Sequence, residues 1–426
     1  MNGERLRPED VSRLERHAAA VYAPPGWAMP AAVVCVLVGA AGFGAGLAIA
    51  PGRAWGAFLA NFLFWTALSM AGVVLVATFN VAGAWWGRSI QRITSGLGAF
   101  TPVAFLLLGA LWLGRPYLFS RWNAEATNGW LNAPVVFLRD AVILAVAAAL
   151  IGWTLYRSLR PDLGALADEG RLERRGLAAF LLRNWQGRQV ERAKTTLFHR
   201  KMSPVVLLWY TLGYSVLAID LDMSINPTFR STMFPVIYWI GAFYSAFAAA
   251  SILCIFWAKS APVSEVIGQK QVRDLGNMLW GCSIFWAYVT WAQYFVIWMA
   301  NLPPEAAFLI ERWRTGWGGL AWTMLVCSFI APFFLLFMRG LKNSRQGVAV
   351  VGGIGMLGVL LQRFLDVMPG IPNLGPSTYG LVEVAITVGF VGIVALPYLW
   401  LMRRVPLFPI EDPLFLRMLE TRGVEV

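Results

Sequence analysis

The chain has 426 residues, of which 58% are hydrophobic and only 14% charged, a balance that excludes a water-soluble domain of this length. Its formal net charge of +12 invites a nucleic-acid reading. The basic residues are dispersed over loops between apolar runs, however, and that distribution argues against it.

Residues 1–30 are polar and charged, with amphipathic character over 5–22, and are expected to form a cytoplasmic tail, not a secretory signal. Ten apolar runs follow, each near the 20 or so residues that a helix needs to cross a hydrocarbon core of about 30 Å. They cover 31–50, 55–79, 97–113, 135–156, 204–221, 233–257, 275–299, 318–338, 348–365 and 381–402. The predicted organisation is therefore spans one to four over 31–156, a basic loop over 157–203, spans five to ten over 204–402, and a C-terminal tail over 403–426. The predicted fold class is an all-α integral membrane protein.

Counting Lys and Arg by alternate loops gives 27 on one side and 8 on the other. This is the positive-inside pattern, and it predicts both termini and the 157–203 loop in the cytoplasm. Within that loop Leu177, Phe180, Leu181 and Trp185 recur at helical spacing among Arg174, Arg175, Arg183, Arg188 and Arg192. Such a pattern fits a basic helix lying on the membrane surface, or one docking a partner. No Gly-rich phosphate loop or nucleotide-binding strand pattern stands outside the spans, which speaks against an ATP-driven pump.

An even number of spans relates spans two to five to spans six to nine, so the chain is expected to build two four-helix bundles of one orientation, with spans one and ten peripheral. The ends of spans five and nine carry a faint repeat, Ile219-Asp220-Leu221-Asp222-Met223 and Phe364-Leu365-Asp366-Val367-Met368, each followed closely by proline.

Ionisable groups inside a bilayer cost about 2.5–3.5 kcal/mol each at the centre, so each needs a partner or a wet cavity. Asp140, Asp220, Asp222, Arg230, Gln293, Asn301, Arg363, Asp366 and Glu383 all fall in the outer half of the spans or at its edge. Arg363 and Asp366, three apart, share a helix face and can pair. The set reads either as half of a proton path or as interfacial groups reaching for headgroups. The inner half offers Thr66, Ser69, Asn80, Ser251, Asp274 and Asn277. Asp274 is the candidate mouth of the path, or with Arg273 a capping charge at the start of span seven.

Both histidines, His17 and His199, lie in predicted cytoplasmic segments, which excludes intramembrane haem ligation. Cys35, Cys254, Cys282 and Cys327 lie inside spans without CxxC spacing and read as packing residues. The chain is thus expected to bind no metal, haem, iron-sulfur cluster or flavin of its own, and any redox centres would belong to partners.

Three stretches carry a family resemblance. The first is Asp220, Met223, Ser224, Pro227, Ser231, Thr232, Phe234 and Tyr238. The second is Asp274-Leu275-Gly276, then Phe285-Trp286-Ala287-Tyr288, Gln293-Tyr294, Ile297-Trp298, Ala300-Asn301-Leu302-Pro303 and Glu305. The third is Pro406-Leu407, Pro409 and Asp412-Pro413. This pattern resembles the ActF-type membrane subunit of alternative complex III, a branch of the NrfD/PsrC-like (polysulfide reductase-like) family. The resemblance implies a cofactor-free subunit of a quinol:cytochrome c or quinol:acceptor oxidoreductase. Its partners would be an ActC-like ten-span sister, an iron-sulfur protein and c-type cytochromes that hold haem c. It also implies a proton route through Asp220, Asp274, Asp366 and Glu383, with Asp222 and Arg363 beside it. Direct quinone or quinol binding, as in relatives with molybdenum and iron-sulfur subunits, and a secondary transporter are the alternatives. The chain departs from the pattern at Leu221 and Phe229, where Trp is usual, at Thr228, often His, and at Asn277, commonly Lys. The last two changes remove titratable groups.

Overall fold

The computed structural model describes residues 14–15, 17–122, 129–261, 263–314, 316–372, 374 and 380–420, so most of the amphipathic 5–22 stretch lies outside the described residues. Among them the chain is all helix with no strand. The long helices in chain order are α1 (Ala28–Ile49), α2 (Pro51–Ala82), α3 (Arg88–Leu118), α4 (Ala133–Asp168), α5 (Arg188–Leu221), α6 (Phe234–Trp257), α7 (Gln269–Ala300), α8 (Gly318–Phe337), α9 (Arg345–Val367) and α10 (Leu381–Met402). Nine of them are long and apolar enough to cross a membrane, α7 being the exception. At 32 residues α7 has the length, and it coincides with the expected seventh span. Its Trp280, Trp286, Tyr288, Trp291, Gln293 and Tyr294 make it less apolar than the other nine.

The helix boundaries follow local chemistry. Pro51, Pro134 and Pro235 open α2, α4 and α6, where a missing N–H is harmless and φ is already helical. Ser344 caps α9 by accepting from the Gly347 N–H, and Asn301 closes α7 in the left-handed region. A 3-10 stretch, Gly96–Phe100, runs through α3, and a π-helical turn, Val326–Ile330, interrupts α8.

Helix α2 is the hub: it packs on α3, α5, α6, α9 and α10, and nearly every residue from Ala54 to Phe79 is buried. Further neighbours are α3 on α4, α4 on α5, α6 on α7 and α9, α7 on α8, and α8 on α9. Helices α1 and α10 pair with each other on one flank. Their axes approach so closely that a Cβ on Gly39 would lie 2.2 Å from the Gly389 Cα. Small residues are the usual means of close helix approach where neither solvent drives association. Large apolar side chains such as Leu37, Leu106, Leu138, Leu208, Phe334 and Val350 point outward, as a bilayer solvent permits.

The basic 157–203 segment differs from the single surface helix expected. Helices α4 and α5 extend into it, and only Gly176–Leu181 forms a helix between them. Asn184 and Gly187 adopt positive φ of 56° and 92° and break the helix before α5. Arg160, 4% exposed at its side chain, ties the segment together: it pairs with Glu191 at 2.7 Å and donates to the carbonyls of Leu181, Arg183 and Asn184. Phe180 is exposed, whereas Leu181 and Leu182 are buried.

The α1/α10 crossing gives a test. Gly39→Val should lower the melting temperature of the purified chain in detergent, at a cost of about 1–3 kcal/mol. Gly44→Val, where a Cβ meets nothing within 4 Å, should leave it unchanged.

Candidate functional site

Helices α5 and α9 both run from a basic end of the molecule, rich in arginine, to an acidic end, and both finish in the repeated Asp-containing motif. Each is followed by a 3-10 turn, Met223–Ile225 and Met368–Gly370. The two turns pack together, since a Cβ on Gly370 would meet Ile225 at 2.5 Å. The faint sequence repeat thus brings two of its three acidic residues near each other: Asp222, 2% exposed, lies within electrostatic reach of Asp366, Arg363 and Arg312.

Arg363 is the centre of this cluster. Its guanidinium donates to Asp366 and to Gln362 Oε1, both at 3.3 Å, and lies 3.3 Å over the Tyr238 ring. Gln362 Oε1 also accepts from Trp286 Nε1 at 3.0 Å. Arg312, from the helix Pro303–Arg314, donates to the Asp366 carbonyl at 2.7 Å and lies over Phe308 at 3.3 Å. Phe308 is stacked in turn on Phe229, one of the positions where the chain departs from the family pattern. Burial pushes the Arg312 guanidinium down to about 10, against the opposing pull of Asp366, Glu311 and Asp222. Neither carboxylate oxygen of Asp222 has a hydrogen-bond partner.

A row of hydroxyls continues from the cluster along α9. Glycines at 352, 355 and 358 leave that face bare, and hydroxyls from α6 and α8 occupy it. A Cβ would lie 2.9 Å from Ser251 Oγ at Gly352, 2.0 Å from Tyr244 Oη at Gly355 and 2.3 Å from Ser328 Oγ at Gly358. Ser328 comes from the π-helical turn of α8. Tyr238 Oη, Tyr244 Oη and Ser328 Oγ are buried and have no protein partner. A buried hydroxyl left unpaired costs about 1–3 kcal/mol, so such positions are where ordered water is expected. From residue 352 to 366 the α-helical rise covers about 21 Å, roughly two thirds of a hydrocarbon core.

The remaining candidates lie elsewhere. Asp220, fully buried, accepts from Arg139 Nε at 2.6 Å and from Trp130 Nε1 at 3.1 Å, and the equally buried Asp140 sits beside it without a donor of its own. Glu383 is held by Arg53 at 2.6 Å and accepts from the Gly380 N–H at 3.0 Å, so it both caps α10 and ties it to α2. Asp274 is half-buried at the basic end and apart from these groups, with Asn277 exposed one turn on. Arg230 and Asn301 are exposed at the acidic end, and Gln293 is buried, accepting from Ser231 Oγ at 3.4 Å. On α2, Thr66 is buried without a partner, while Ser69 donates to the Leu97 carbonyl. Asn80 joins a basic-end network, accepting from Arg88 at 2.6 Å and donating to Ser203 at 3.0 Å. The four cysteines are free, and among the described residues no group of His, Cys, Asp and Glu could hold a metal ion.

Sequence reasoning passed over Arg139, the cation that answers Asp220, and Arg312, which holds the main-chain carbonyl of Asp366. Arg139 was visible beside Asp140 at a span start, but Arg312 sits in what reads as a loop. Gly352, Gly355 and Gly358, spaced by three, were a legible sign of close approach on one helix face.

No protein-family model matches the chain, and a search of curated proteins returns no match.

The cluster predicts an order of effects on stability. Arg363→Met removes the cation paired with Asp366 and nearest the buried Asp222, and should cost about 3–5 kcal/mol in detergent melts. Asp222→Asn, at a carboxylate with no donor to lose, should cost less. The reverse order would mean that Asp222, not Arg363, holds the cluster.

Proposed function

We propose that the chain is a cofactor-free membrane subunit of a quinol:acceptor oxidoreductase of alternative complex III type, which moves protons while its partners move electrons. The carrying observation is the Arg363–Asp366–Asp222 cluster, continued along the glycine face of α9 by hydroxyls of which Tyr244 and Ser328 have no protein partner. A path of that kind needs titratable groups at one end and sites for ordered water along it. The family resemblance supplies the electron-transfer context, because its strings include Asp220, Ser224, Tyr238, Trp286 and Gln293, all of them at or near the acidic end.

In this reading α7 is the seventh span and brings the count to ten, α2 to α5 and α6 to α9 are the two four-helix bundles, and α1 and α10 flank them. The basic end faces the cytoplasm of a bacterial plasma membrane, and the acidic end faces outward. Haem c and iron-sulfur clusters belong to partner subunits, beside an ActC-like sister. Quinol oxidation within this chain is the weaker choice: Asp220 is sealed by Trp130 and Arg139, and a quinol hydroxyl would need to reach a carboxylate at hydrogen-bonding distance. A secondary transporter is favoured by one feature, the π-helical turn within α8, because local unwinding inside a span is how transporters expose backbone to a substrate.

Two measurements test the proposal. In the assembled complex Asp366→Asn should lower protons moved per electron more than it lowers quinol oxidation, and an equal loss of both would point to a quinol site or misassembly. A tagged pull-down from mild detergent should bring down c-type haem and iron-sulfur subunits with a second ten-span protein. Recovery of a lone, colourless chain would favour transport.

A further inference from the structure

At the basic end, away from the cluster, a cavity of about 670 Å³ opens between α2, α3, α4, α5 and the 409–414 segment. Among its lining residues are Asn80, Arg88, Gln91, Arg192, His199 and Arg200. The three carboxylates that also line it are already answered. Asp162 is paired with the buried Arg92 and accepts from the Glu411 N–H at 2.9 Å. Glu411 is paired with Arg188 at 2.6 Å, and Asp412 accepts from Arg88 at 3.2 Å and from Gln91 at 3.3 Å.

Two cations are left over. Arg192 and Arg200 stand on one face of α5, eight residues or about 12 Å apart, and neither makes an ion pair among the described residues. On the cavity floor Arg88 is 4% exposed and its Nε, buried, has no acceptor. The cavity therefore offers three arginines to an anion with several acceptor oxygens, and arginine forks match phosphate in charge and in bidentate geometry. Its walls include Val76 and Val81 at the end of α2 and Pro204 in α5, next to the apolar part of both helices. That is the depth at which phospholipid headgroups meet water.

We propose that this cavity is a binding site for a phosphate group, carried either by an anionic phospholipid or by free phosphate. Arg192 and Arg200 hold the phosphate oxygens from the rim and Arg88 receives them from the floor. The site is independent of proton movement through α9.

The full-length chain, delipidated in mild detergent, is mixed with phosphatidylglycerol or phosphatidylcholine and read by native mass spectrometry. In a parallel arm its melting temperature is taken in inorganic phosphate and in chloride of equal ionic strength. Retention of phosphatidylglycerol over phosphatidylcholine, weakened about tenfold for each arginine lost in R192Q/R200Q, identifies the lipid as the source. Stabilisation by phosphate without lipid retention, again lost in R192Q/R200Q, identifies free phosphate. R174Q/R175Q removes the same charge from exposed positions in the loop and should keep either signal. Equal loss in the two double variants, or no dependence on Arg192 and Arg200, overturns the site.

Discussion

An arginine or a carboxylate withdrawn from water has to be answered inside the protein, and this requirement organises the molecule more than any apolar contact does. Apolar side chains cannot set the register of helices whose surroundings are equally apolar. The Arg–carboxylate pairs can. Arg53 with Glu383 fixes α2 against α10, Arg139 with Asp220 fixes α4 against α5, Arg92 with Asp162 fixes α3 against α4, and Arg160 with Glu191 fixes the α4 and α5 extensions. Each joins two helices, and most join segments far apart in sequence. A pair of this kind adds little net energy but strongly penalises the wrong arrangement, because a misplaced helix leaves two charges unanswered.

Against that background the acidic end stands out. Asp222 and Asp140 are buried carboxylates without hydrogen-bond donors, in a molecule that elsewhere answers its buried carboxylates with arginine. Each lies near a second carboxylate, Asp366 and Asp220, whose own arginine, Arg363 or Arg139, makes no hydrogen bond to it. The chain therefore has two kinds of buried acid. One is fastened and serves the fold, as Glu383 and Glu191 do. The other is left under-satisfied and is suited to exchanging a proton.

Much of this was legible in the sequence. Length and apolarity pointed to the long helices, since a helix has to be about 20 apolar residues long to cross: all ten expected runs coincide with long helices, nine of them apolar enough to cross a membrane. The Asp-containing repeat at the ends of spans five and nine pointed to residues that do meet. Other features were not legible because they depend on tertiary partners. Glu383 reads as an intramembrane acid like Asp366, and only the approach of Arg53 from α2 distinguishes it. The basic segment has helical periodicity, yet its residues are spent on Arg160, and positive φ at Asn184 and Gly187 ends the helix where periodicity would continue it. Asp274 matches its motif but sits apart from the acidic groups, a separation no spacing along one helix can reveal.

The pairing of α1 with α10 has a consequence for synthesis. The partner surface of α1 is α10, which lies far later in the chain, and the Gly39/Gly389 contact cannot close until α10 has been made. Until then the Gly39 face of α1 lacks the helix that covers it in the folded protein. Formation of this flank is thus a non-local step, coupled to α10 and not to the neighbours of α1 in sequence.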